Sequence, residues 1–484
     1  MNVSEPFFIG REKAVQTLET ALAYRQSVLV SVIGRRRVGK TYLIRHQLDG
    51  HIVFSISGLQ HADLKTQLAN FELQLTSHFG APKKKREIKD WLSAFAALAQ
   101  SVDVQSATSE KRPVIFFDEL PWLATRRSKF LQAFSWFWNS WAAFRTTPVV
   151  VVICGSAASW MIKKVVRDKG GLHNRITHRI FLKPFTLYET ALYLEKLRAV
   201  SDKYQQLLLY MALGGVPYYL EQVLPGESAI QAIQRLVFDE NAPLRSEFQL
   251  LYASLFEHAD RHIQLVRLLS AKHQGYTRKE IVAKSEVSNG GGLTRILEEL
   301  TLSGFIESDI PFTSSSRATR YRLIDEYSAF YLKFVEPARQ SRIDYINLSQ
   351  QQSYRSWSGF AFERVCRKHT IQIQRALGLA GVFCKPYTYM HQGNDDAAGV
   401  QIDLLLDRAD QSISLIETKF SSDSYQVTKD YANQLRQKKS RFRVHTKTKK
   451  HLWMVMLTTY GIEGGNAVGI VDTSLTMDVI FEPE

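Results

Sequence analysis

Four apolar runs punctuate the first 190 residues: SVLVSVIG (27–34), HIVFSIS (51–57), PVIFFDE (113–119) and PVVVVICGS (148–156). Apolar runs without alternation predict strands buried on both faces. Between them, REKAVQTLETALAY, DWLSAFAALAQSV and SKFLQAFSWFWNSWAAF space their apolar residues helically. This alternation predicts an α/β domain over residues 1–190, with a parallel sheet covered by helices on both faces. The pattern then changes. LYETALYLEKL, YQQLLLYMAL and AIQAIQRLVF predict an all-helical stretch over 191–265. A compact helical unit ending in strands follows over 266–340, and helix and strand mix again over 341–484. No internal repeat or low-complexity segment interrupts the chain.

Composition narrows the class. Of 484 residues, 45% are hydrophobic, enough for packed cores in three or four domains. The formal net charge of +15 favours an anionic partner, with DNA the expectation. The basic run PKKKREIK (82–89) reads first as a solvated loop leading into a helix, with a localisation signal or anion contact as alternatives. Cys154, Cys366 and Cys384 are odd in number and far apart, which argues against a disulfide framework or zinc site and predicts a reducing cytoplasm. The first residues lack a signal-peptide layout, and no apolar run is long enough to span a membrane.

GRRRVGKT (34–41) fits G-x-x-x-x-G-K-[ST] between a strand and a helix. Such a loop cradles phosphates with backbone N–H groups at a helix N-terminus. Gly34, Arg35, Arg36, Arg37, Val38, Gly39, Lys40, Thr41 and Tyr42 form the expected nucleotide loop. Lys40 is expected on the β- and γ-phosphates and Thr41 on Mg²⁺. VIFFDELPWL ends a strand in Asp118, expected to hold Mg²⁺ through water, and Glu119, expected to orient or deprotonate the attacking water. Ser156 is a candidate sensor of the γ-phosphate, and GREK (10–13) a candidate seat for the base. Arg175 and Arg179 are either structural or supply transition-state charge, in the same chain or from a neighbouring subunit.

FIGREK, GRRRVGKT, FFDELPWL, ICGS, NRITHRIFLKPF and LGGVPYYL together resemble the archaeal-type AAA+/STAND-like ATPases of archaea and bacteria. The resemblance spans about two thirds of the chain. It implies a P-loop core (1–190), a helical lid (191–265) and a winged helix (266–340), with ATP and Mg²⁺ as ligands, ATP hydrolysis or switching as activity, and a homo-oligomer through the ATPase domain.

YTRKEIVAKSEVSNGGGLTRILEELTLSGFIES has a helix-turn-helix layout, with a Thr277/Glu280 capping box and a second helix from about Leu293 to Leu302. Ser288, Asn289, Thr294 and Arg295 stand at the front of that helix if it reads DNA. A lid or protein contact is the alternative, since NGGG is a flexible start for a groove-reading helix.

Near the far end, QIDLLL places Asp403 early in a strand, and SLIETKF places Glu417 and Lys419 on one face of the next. Glu363 precedes them on a helix and Gln434 follows on another. Carboxylates binding Mg²⁺, with a lysine positioning water, suit phosphodiester cleavage. Lys438, Lys439, Arg441, Arg443, Lys447, Lys449 and Lys450 form a candidate phosphate track. The ordered set Glu363, Asp403, Glu417 and Lys419 resembles the PD-(D/E)xK nucleases over residues 341–484. One departure is that Gln401 and Ile402, not proline, precede Asp403. The resemblance implies an α/β restriction-endonuclease-like domain with Glu363, Asp403 and Glu417 as metal ligands.

The expectation is therefore an ATP-binding and hydrolysing protein that regulates a Mg²⁺-dependent DNA nuclease in DNA processing or defence. The alternatives are an ATP-dependent DNA-binding or signalling switch whose last domain only binds, and an ATP-driven remodeller of a partner.

Overall fold

The structure is a computed structural model describing residues 7–81, 87–107, 111–156, 158–166, 171–172, 174–285, 289–338, 344–391, 393 and 399–484. Most of the basic run at 82–89 and Ser288 lie outside the described residues. The chain forms two compact units, Met1–Lys183 with Ser254–Glu257, and Pro184–Ala253 with His258–Glu484.

The first unit is built on five parallel strands, β1 (Val28–Ile33), β2 (Ile52–Ser57), β3 (Val114–Asp118), β4 (Val150–Gly155) and β5 (His178–Phe181), in the order β2-β3-β4-β1-β5. Every residue of β1 and β4 is buried, as their unbroken apolar runs require. Val28, Val30 and Val32 turn to a core shared with helices Glu12–Ala23 and Lys40–Gln47. The other face is aromatic. Phe117 of β3 meets Phe54, Phe95 and Phe134 at 6.2, 5.8 and 5.7 Å between ring centroids. Helices Leu64–Phe79 and Trp91–Ser106 supply Phe71 and Phe95 to this layer.

Two elements here escape the apolar pattern. Strand β5 comes from ITHRIFLKP, where Arg179 and Phe181 are exposed along the edge of the sheet. Helix Leu64–Phe79 starts at Asp63, whose side chain accepts from Thr66 N–H.

The second unit opens with helices Leu187–Lys196 and Lys203–Leu213. A small antiparallel sheet follows, β6 (Tyr276–Thr277), β7 (Ile306–Asp309) and β8 (Arg320–Leu323), in the order β6-β8-β7. Helices Arg278–Lys284 and Gly291–Leu302 accompany it. The Thr277/Glu280 capping box is formed, and the second helix begins at Gly291, ahead of Leu293.

The C-terminal sheet runs β15-β13-β11-β10-β9. Its strands are β9 (Cys384–His391), β10 (Val400–Arg408), β11 (Ser412–Lys419), β13 (His451–Thr458) and β15 (Thr473–Thr476). Strands β9, β10 and β11 pair antiparallel, while β11, β13 and β15 pair parallel. A separate pair, β12 (Tyr425–Gln426) and β14 (Ile462–Glu463), is parallel. Helix Lys429–Thr446 bridges β11 and β13, burying Ala432, Leu435 and Phe442. Helix Gln352–Lys368 buries Ala361, Phe362 and Val365. At its end, His369 is buried, and its Nε2 accepts the N–H of Leu187, the first residue of helix Leu187–Lys196, at 2.9 Å. Nδ1 lies 2.7 Å from the Val365 carbonyl, so it carries the ring proton and donates it there.

Candidate functional site

The order of the first sheet brings the ends of β1, β4 and β3 side by side, the usual place for a ligand crevice in a parallel sheet. Gly34 leaves β1 so close to its neighbour that a Cβ there would sit 2.3 Å from the Leu182 carbonyl oxygen. Arg37 and Gly39 adopt φ of 70° and 88°, winding the loop before helix Lys40–Gln47 begins. Arg35, Val38 and Lys40 are buried within it. The guanidinium of Arg36 lies over the Trp122 ring at 5.8 Å. Arg11, from GREK, donates to the Val38 carbonyl at 3.2 Å and the Lys183 carbonyl at 2.6 Å. That arginine buttresses the loop, a role its sequence position did not reveal. Tyr42 is exposed, bonds the Phe7 carbonyl at 2.9 Å and stacks with Phe8.

The charged groups form one network. Lys40 Nζ donates to the Arg35 carbonyl at 3.0 Å and to Ser156 Oγ at 2.8 Å. Thr41 Oγ1 donates to Asp118 Oδ2 at 2.8 Å. Glu119, held at φ 46°, accepts from Ser156 N–H at 3.1 Å and from the Ser156 hydroxyl. This donor set fits Mg²⁺ and a triphosphate. A hydroxyl and a carboxylate, both hard oxygen donors, stand together beside an ammonium held by neutral partners.

The two arginines lie elsewhere. Thr177 bonds Leu29 near the start of β1, whereas Leu182 bonds Ile33 at its end. Five residues of strand, roughly 16 Å, separate these levels. Arg175 precedes Thr177, so it stands at the end of the sheet away from the loop. Arg179 is exposed on edge strand β5 opposite Ser31. Neither is brought to its own chain's loop.

In the second unit the pairing of β10 and β11 sets the acids. Leu404 pairs with Ile416, so the next step along the ladder puts Asp403 opposite Glu417. Lys419 shares Glu417's face and lies over the Tyr431 ring at 4.9 Å. Glu363 and Asp403 line one cavity. Burial, with the Asp403 charge beside it, pushes the Glu363 carboxyl up to about 8. Burial also raises Glu417, against the pull of Lys438, which pairs with it directly. Gln434 is exposed, and the side chain that helix Lys429–Thr446 presents to Glu417 is Lys438. Tyr431, seven residues before Lys438, lies on the same helix face, and its phenol is pushed up by burial and the Glu417 charge. That i, i+7 pair was the missed signal in the sequence.

The metal expectation for Glu363, Asp403 and Glu417 does not fit this arrangement. Among the described residues, no three His, Cys, Asp or Glu side chains are grouped to hold an ion. Glu417 is taken by Lys438, and Asp403 accepts from Gln401 Nε2 at 3.1 Å.

The expected phosphate track is partly consumed. Lys439 pairs with Asp472 at 3.2 Å and Lys450 with Asp407 at 2.6 Å, which leaves Arg443, Lys447 and Lys449 exposed. In the helix-turn-helix segment, Arg278 donates to Asn289 Oδ1 at 3.1 Å and Arg295 to Glu299 at 2.8 Å, while Thr294 bonds the Gly290 carbonyl at 3.3 Å. No described helix is long and apolar enough to cross a membrane.

Comparison with known proteins bears on residues 8–223, which take in the first sheet and the first helices of the second unit. Residues 8–223 match the family described as an ATPase domain predominantly from Archaea, which supports ATPase chemistry at the site just described. The Walker-type ATPase PABY2304 of Pyrococcus abyssi superposes at a TM-score of 0.50 and 16% identity, over 68% of this chain and 96% of that one. Uncharacterized protein MJECL04 of Methanocaldococcus jannaschii is 25% identical over 423 residues, 85% of this chain and 87% of the relative. That similarity is too long to be confined to residues 8–223.

Proposed function

We propose that the chain hydrolyses ATP in its first unit and uses that cycle to control DNA cleavage by its C-terminal domain. The observation that carries the ATPase part is the network joining Lys40, Thr41, Asp118, Glu119 and Ser156 at the ends of three neighbouring strands. Mg²⁺ and ATP would supply a phosphoanhydride ready for attack by water. The N–H groups from Gly34 to Thr41 hold the phosphates. Lys40 leaves the Arg35 carbonyl and Ser156 for the phosphate oxygens. Thr41 would hold the metal directly and Asp118 would hold it through water. Glu119, released from Ser156, orients the attacking water and takes its proton. Arg175 and Arg179 remain candidates to serve a neighbouring subunit's nucleotide in a homo-oligomer.

In this reading residues 1–190 are the ATPase core, 191–265 a helical lid, 266–340 a winged helix and 341–484 a PD-(D/E)xK nuclease-like domain, all acting in the cytoplasm. Glu363 and Asp403 support the nuclease assignment by lining one cavity, with Glu417 and Lys419 on the strand next to Asp403. A second reading, a domain that binds DNA without cutting it, is favoured by the pairing of Glu417 with Lys438 and by the absence of a three-ligand metal group among the described residues.

The test is ATP turnover and DNA cleavage in Mg²⁺ or Mn²⁺, measured on wild type, Lys40→Ala and Lys419→Ala. Lys40→Ala should lower ATP turnover about 100-fold or more. Lys419→Ala should spare turnover and abolish cleavage. DNA binding with no cleavage by wild type would establish the second reading.

A further inference from the structure

The cavity before Asp403 has two walls. One carries Thr388 of β9 with Gln401 and Asp403 of β10, and the other carries Gln274, in the turn before β6, with Arg320 and Arg322 of β8. The second wall is fastened in place. Phe312, in the loop between β7 and β8, donates its N–H to the Thr388 carbonyl at 2.8 Å. Its ring lies 5.9 Å from Phe442 and 5.4 Å from Tyr387, against the core of the C-terminal sheet. Thr388 Oγ1 donates to Asp309 Oδ2 at 2.7 Å. Gln274 Nε2 donates to Gln401 Oε1, and Gln401 in turn donates to Asp403. Arg367, on the helix of Glu363, pairs with Glu307 at 2.7 Å.

The cover also brings charge. The Arg322 side chain is 6% exposed and pairs with Glu307 and Asp309 at 3.1 and 2.9 Å, and it shares with Asp403 and Glu363 the cavity between the walls. A phosphodiester that reaches Asp403 needs the space held by Arg322 and Gln274. A divalent ion on the acids would meet a fixed cation there.

We propose that the hairpin of β7 and β8 is an autoinhibitory cover over the site formed by Glu363, Asp403 and Glu417, and that this site works only when the hairpin lifts. The inference rests on the reading of those acids as the working site. The fastenings to the C-terminal domain are a few hydrogen bonds, the Arg367–Glu307 ion pair and one ring rather than a continuous strand ladder. Opening is thus a shift between two folded arrangements, not an unfolding.

The test compares wild type, Phe312→Ala and a reversible lock, Asp309→Cys with Thr388→Cys in a Cys384→Ser background. Carbodiimide-driven coupling of a small amine to Asp403 and Glu363, read by peptide mass spectrometry, reports access without relying on cleavage. Coupling at Asp403 should be about 5-fold faster in Phe312→Ala than in wild type. It should be slowed in the oxidised lock and restored on reduction, and DNA cleavage should follow the same order. Equal coupling in all forms, or undiminished cleavage by the oxidised lock, overturns the proposal. Coupling that follows the hairpin while no protein cuts DNA keeps the cover and removes the nuclease reading instead.

Discussion

Ser156 bonds a cation and an acid with one hydroxyl. Lys40 and Glu119 both reach it, so a phosphate that draws Lys40 away also loosens Glu119. Ser156→Ala should therefore lower kcat for ATP about 10-fold or more with little change in KM, because the hydroxyl arranges the catalytic groups more than it binds substrate. Steady-state kinetics checks this. Gly34 offers a sharper steric case. An alanine Cβ meets the Leu182 carbonyl at 2.3 Å, so Gly34→Ala should destabilise the first unit by about 1–3 kcal/mol and lower its melting temperature. Residues in one contiguous motif were legible in the sequence, because spacing alone fixes their geometry. Arg175 was less so, since only the pairing of β5 with β1 reveals which end of the sheet it occupies. Gln434 and Lys438 differ by four positions on one helix, and only packing decides which turns to Glu417.

Among elements, helix Gln352–Lys368 carries the charge burden of the second unit. Glu363 has a carboxyl raised to about 8, from 4.5, by burial and by Asp403. The folded state then holds a proton that the unfolded chain has released. This contribution to stability is present below about 4.5 and is lost as pH rises through 8. Glu363→Gln should flatten the fall in melting temperature between pH 5 and 8, which thermal melts across that range would show. Element type was readable where apolar residues kept one period. Strands β1 to β4 announce themselves, whereas β5 owes its existence to pairing with β1 rather than to an apolar run of its own. Asp403 facing Glu417 was also foreseeable, because an antiparallel hairpin of the two strands leaves few registers.

For the whole molecule, the excess of cations should govern how nucleic acid is met. With a net charge of +15, DNA affinity should fall about 10-fold or more between 50 and 200 mM salt, as anisotropy titrations would measure. A slope near zero would argue against phosphate contacts altogether. The covering of Asp403 by the small sheet was not legible in the sequence. Gln274, Phe312 and Arg322 are ordinary loop and strand residues until folding sets them against β9 and β10, which lie far along the chain.

The bond from Leu187 to His369 has a practical consequence for dissecting the chain. The first helix of the second unit takes its N-terminal partner from a residue 182 positions later, at the end of the helix that carries Glu363. A protein cut at residue 340 would keep that helix and lose its acceptor, leaving a buried N–H unanswered at a cost of about 1–3 kcal/mol. Truncation would thus injure the part it was meant to isolate. Testing ATP turnover apart from the proposed DNA cleavage calls for single substitutions in the intact polypeptide.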